Sequence, residues 1–118
     1  MPELQLRSTI EDVQRATGTL ANGYNEPDAL ALIKALGTCD LFIAPALDHR
    51  HSPEQESARR QYHAVCTALS HAIRRAVGYP GRCEHEKRVV DLVHDLHGSA
   101  KALRAVFGWS PPAGEPPD

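Results

Sequence analysis

Apolar residues recur at steps of three and four along most of this chain, with polar residues between them. Leu6, Ile10, Val13, Thr17 and Leu20 form a first stripe. Ala58, Tyr62, Val65, Leu69, Ile73 and Val77 form a second, and Val89, Leu92 or Val93, Leu96, Ala100, Leu103 and Phe107 a third. Such spacing lines one face of an α-helix. The stretch between the first two stripes is different. Leu30, Leu32, Ile33, Leu36, Leu41, Phe42 and Ile43 leave little polar circumference, which places that helix at the centre of a bundle or inside an interface. No segment alternates with period two over a useful length, so no β-strand is expected.

Helix boundaries are set by local signals. Ser8-Thr9-Ile10-Glu11 reads as a capping box and Gly23 as a stop, which predicts a helix over 9–22. Asn25 is a cap for a helix over 26–44 that Pro45 ends, with Gly37-Thr38 a point of kinking. Ser52-Pro53-Glu54-Gln55 combines a capping serine, a proline at the first helical position and a glutamine three residues on. Gly78 and Pro80 close that helix, predicted over 53–77. The last helix is predicted over 83–107. The expected fold is all-α: a small four-helix bundle built from two helical hairpins over 1–108, with an extended proline-rich tail over 109–118. Four prolines among those ten residues exclude a helix there.

Length and charge narrow the picture further. At 118 residues, the chain is long enough for one core without staples. Three cysteines, Cys39, Cys66 and Cys83, stand at no framework spacing, which suits a reducing compartment. The polar N-terminus does not read as a signal peptide, and Lys34, Thr38 and Asp40 interrupt the longest apolar run. A cytoplasmic location with no membrane contact is therefore expected. The net charge of −2 conceals an asymmetry. Residues 1–58 carry four basic against nine acidic residues, and residues 59–110 carry nine basic against four acidic. A split of this kind implies either an anionic partner or two mutually attractive halves.

The strongest candidate for function is the basic cluster Arg74, Arg75, Arg82, Lys87 and Arg88, which an antiparallel hairpin brings to one tip around 78–81. Arg74 and Arg75 lie near a helix C-terminus, where the dipole favours cations. Arg82, Lys87 and Arg88 lie at a helix start, where it disfavours them. Glu84 and Glu86 dilute the cluster without cancelling it. Such a tip fits an acidic protein surface or a nucleic-acid backbone. The apolar second helix offers a further contact, with Leu32 and Phe42 the residues expected at an oligomer or partner interface.

Two other chemistries have residues to carry them. His49, His51, Cys83 and His85 supply the nitrogen and sulfur ligands that zinc takes. A helix of about 25 residues, ~37 Å long, would stand between the two pairs. Arg88 followed six positions later by His94 on the last helix resembles the catalytic pattern of HEPN-type ribonucleases, which are helical dimers. The family usually has a polar residue after the arginine, and this chain has Val89. The resemblance implies that Arg88 would stabilise charge on the scissile phosphate and that His94 would transfer a proton. No Gly-x-Ser-x-Gly turn or other nucleophile constellation occurs. The expected role is a non-catalytic interaction protein, an accessory, regulatory or inhibitory subunit, with no cofactor. The alternatives are a HEPN-like ribonuclease and a small metal-binding helical protein.

Overall fold

The structure, a computed structural model, describes the backbone over residues 2–43 and 52–109 and the side chains over residues 7–37 and 52–109. In chain order it contains α1 (Pro2–Ala16), a single 3-10 turn (Leu20–Asn22), α2 (Glu26–Ile43), α3 (Pro53–Gly78) and α4 (Cys83–Phe107). The described residues contain no strand, so the fold is all-α with four helices. No described helix is long and apolar enough to cross a membrane.

The first helix is displaced from its expected bounds at both ends. It starts at Pro2, so Ser8 and Thr9 lie inside it. Pro2 suits the first helical position because its missing N–H has no helical partner to lose. The capping-box pattern at Ser8 therefore finds no exposed helix start to cap. At the other end α1 stops at Ala16. Gly18 adopts φ +53°, and the Leu20–Asn22 turn carries the chain across to α2. A Cβ on Gly18 would stand 2.5 Å from the carboxylate of Asp28, so this corner needs glycine for space as well as for φ.

Asp28 organises that corner. Its Oδ2 accepts from Thr19 N and Thr19 Oγ1, both at 2.9 Å, and from Asn25 Nδ2 at 3.1 Å. Asn25 caps α2 in return, its Oδ1 accepting from Asp28 N at 3.0 Å. The Thr19 backbone amide, then the Asn25 amide and the Thr19 hydroxyl, hold the Asp28 carboxyl below its ordinary pKa.

The cap of α3 forms as the sequence predicts. Ser52 Oγ accepts from Gln55 N at 3.2 Å, and Gln55 Oε1 accepts from Ser52 N at 2.9 Å. Gln55 then uses its remaining amide nitrogen to donate to Val106 O at 3.1 Å. Local capping and tertiary pairing thus share one side chain. That bond joins the start of α3 to the end of α4, while Tyr79 and His85 meet at the opposite end, their rings 5.8 Å apart. The two helices are therefore antiparallel. α4 ends at Gly108, whose φ of +71° turns the chain back so that Trp109 N donates to Arg104 O at 2.9 Å.

The core runs through all four helices. Ile10, Val13 and Leu20 enter from the first segment, Ala29, Leu32 and Leu36 from α2. α3 contributes Tyr62, Cys66, Leu69, Ala72, Ile73 and Ala76, a stripe rotated from the expected one, so that Ala58, Val65 and Val77 are only half-buried. The rotation follows from position, since α3 packs on both α2 and α4. α4 buries Leu92 and Val93 together, where one of the two was expected. Phe107 and Trp109 stack at 4.7 Å over the edge of the core.

Candidate functional site

Two charged residues near the start of α3 are buried: Glu56 at 8% exposure and Arg59 at 7%. Arg59 Nε and Nη2 donate to Glu56 Oε1 and Oε2 at 2.8 and 2.6 Å, a two-point pair one turn apart. Arg104, 7% exposed, lies near the end of α4 and so at the same end of the hairpin.

The opposite end is treated differently. Arg74 and Arg75 lie in the last turns of α3, Arg82 precedes α4, and Lys87 and Arg88 lie in its second turn. All five are exposed. Arg82 comes within 4.0 Å of Glu84, and the other four make no ion pair among the described residues. Tyr79 projects from the connection between the helices with 61% of its surface exposed. Glu86 is half-buried, and its charge, after desolvation and Glu26, helps to raise the pKa of Tyr24.

The helix does not gather Arg88 and His94 at one point. Six residues amount to about 120° of rotation around an α-helix and ~9 Å of rise. His94 Nε2 lies 3.0 Å from Ala21 O, where its N–H donates and ties α4 to the 3-10 turn. Gln14 Nε2 meets His97 Nδ1 at 2.5 Å, so the second histidine on this helix joins α1 to α4.

Of the residues weighed as zinc ligands, His49 and His51 lie outside the described residues. Cys83 is exposed, and His85 is half-buried with its ring against Tyr79. No group of three or more candidate ligands assembles among the described residues.

Leu32 requires a correction. It was expected at an interface, and it is fully buried in the chain's own core. α2 is apolar on several sides here because it packs against both α1 and α3. Phe42 belongs to α2, but its side chain lies outside the described residues. Among the described side chains of α2, Leu30 is the large apolar one that is exposed, at 48%.

Sequence periodicity gave no sign of a cleft between α2 and α3, with a volume of about 190 Å³. Leu36 and Gly37 form its α2 side, and α3 supplies Cys66, Thr67, Ser70, His71 and Arg74. Those five α3 positions share a face at helical spacing, a signal that could have marked them. Comparison with protein-family models, curated proteins and solved structures finds no match to this chain.

Proposed function

We propose that this chain is a non-catalytic interaction protein, an accessory or regulatory subunit that receives an acidic partner surface on the tip between α3 and α4. One observation carries the reading: four exposed cations at that tip make no ion pair among the described residues, and an exposed tyrosine projects beside them. Arg82 stands at the N-cap of α4, where the helix dipole disfavours a cation, and Lys87 and Arg88 one turn on gain nothing from it, so helix stability gives no reason for their placement. Cations with neighbouring aromatic surface suit a partner that presents carboxylates or phosphates beside a flat group.

The test is direct. The wild type should bind an acidic polymer, with poly-glutamate and single-stranded RNA as the two probes, and binding should fade as salt rises. Arg82→Glu with Arg88→Glu should weaken it at least tenfold and leave the helical circular dichroism intact. Binding to neither probe at low salt, or binding indifferent to the double reversal, overturns the reading. RNA cleavage that disappears in His94→Ala would replace it with the ribonuclease alternative.

A further inference from the structure

We propose that the cleft between α2 and α3 binds a small phosphate-class oxyanion, either the free ion or the phosphate group of a small ester. The site lies beside the tip and shares Arg74 with it, but its cleft is formed without Arg75, Arg82, Lys87 or Arg88. Its floor is apolar: Leu36 is 3% exposed and Cys66 5%. Its described polar rim carries donors at three positions. Ser70, His71 and Arg74 line it, and none of the three makes a hydrogen bond or ion pair among the described residues. Thr67 Oγ1 is already committed, donating to His63 O at 3.1 Å, and retains its acceptor capacity. No described carboxylate lines the cleft. Among the described residues an oxyanion would meet a hydroxyl, an imidazole and a planar guanidinium on one side. The guanidinium is the group best matched to two oxygens of a phosphate.

Size limits the ligand. The cleft's volume of about 190 Å³ is below the usual range for drug-sized ligands. From Thr67 to Arg74 the rim spans seven residues of helix, or ~10 Å. Inorganic phosphate occupies the His71–Arg74 end of such a space, and a three-carbon ester reaches toward Thr67.

Gly37 keeps the opposing wall low. A Cβ built on it meets nothing within 4 Å, so the space beside this helical glycine is open. A larger side chain at 37 meets no neighbour at its Cβ and adds bulk to the α2 wall of the cleft.

The experiment is a titration of amide chemical shifts with inorganic phosphate and with glycerol 3-phosphate, using chloride at matched ionic strength as control. The expected result is saturable shifts confined to residues around Leu36–Gly37 and Thr67–Arg74, absent with chloride. Tighter binding of the ester assigns a phosphomonoester, and tighter binding of the free ion assigns phosphate itself. Gly37→Leu should weaken binding at least tenfold, as should His71→Gln. Gly37→Ala, which leaves most of the space open, should retain binding and shows that the helix tolerates a side chain at 37. Arg82→Glu with Arg88→Glu should leave phosphate binding within threefold of wild type, which separates this site from the tip. Linear shifts that chloride reproduces, or saturable binding unaffected by Gly37→Leu, would sink the proposal.

Discussion

The two ends of the α3–α4 hairpin use the same kinds of charged residue in opposite ways. Where α3 begins and α4 stops, Glu56 and Arg59 are buried against each other. Where α3 stops and α4 begins, five cations stand exposed, and among the described residues only Arg82 has a carboxylate within reach, at 4.0 Å. The helix dipole sharpens the contrast. Glu54 and Glu56 occupy the first turn of α3, and Arg104 occupies the last turn of α4, each at the end that favours its sign. Arg82, Lys87 and Arg88 are at the end that does not. Charge at the first end is therefore accounted for by the fold. Among the described residues, charge at the second end has little such compensation, and the proposed partner is one that would supply it.

The largest effect should come from breaking the buried pair. Arg59→Ala removes two hydrogen bonds from the buried Glu56 carboxylate while Arg60 Nε stays 3.9 Å from it, and should cost about 3 kcal/mol in urea unfolding. Replacing both partners, as Glu56→Gln with Arg59→Met, should recover much of that loss. A cost below about 1 kcal/mol for Arg59→Ala would put this pair in the same class as exposed surface ion pairs and erase the contrast.

The α1–α2 corner holds a charge by neutral hydrogen-bond donors, which sharpens the comparison. Gly18→Ala should cost about 1–3 kcal/mol, because the alanine is strained at positive φ. Its Cβ would also meet Asp28. Asp28 has a depressed carboxyl pKa. Its contribution is therefore present above the ordinary carboxylate pKa and lost as pH falls through the lower folded value. Asp28→Asn should flatten that part of the acid unfolding curve. An unchanged acid limb would show that the corner's hydrogen bonds do not favour the charged form.

Gly37→Ala should stabilise the protein by about 0.5–1 kcal/mol in the same assay, since glycine inside a helix is disfavoured by that amount. Destabilisation would show that the open space beside Gly37 is not available to a side chain. Smallest of all should be the tip. Arg82→Glu with Arg88→Glu should change stability by about 0–1 kcal/mol, as exposed charges do. A larger change would mean that the tip cations hold the fold together after all, and the two ends would no longer differ.

Much of this architecture was written locally. The Ser52 capping box and the Gly78-to-Pro80 break delimit α3 because each works through contacts within a few residues. Ser8-Thr9 carries the same signature and has no such effect, since a cap acts only where the helix actually starts. The reading of Leu32 failed for a related reason. An apolar circumference reports that a helix is covered on several sides, and does not say whether the cover belongs to the same chain. The tip cations were legible because sequence adjacency across a short connection brings them together. The cleft was not, because it depends on which faces of α2 and α3 oppose each other and on a glycine that leaves room between them.

Trp109 is the chain's single tryptophan, and it is stacked on Phe107 at the end where charges are buried. Its fluorescence is consequently a built-in optical gauge of that end. The tip lies a full helix length away, ~37 Å for a helix of about 25 residues, too far for a ligand there to quench the indole by contact. Emission should follow the unfolding of the hairpin faithfully and stay silent while the tip fills. A ligand at the tip that did change it would reveal that α3 and α4 shift as a unit, transmitting occupancy at one end to the packing of the other.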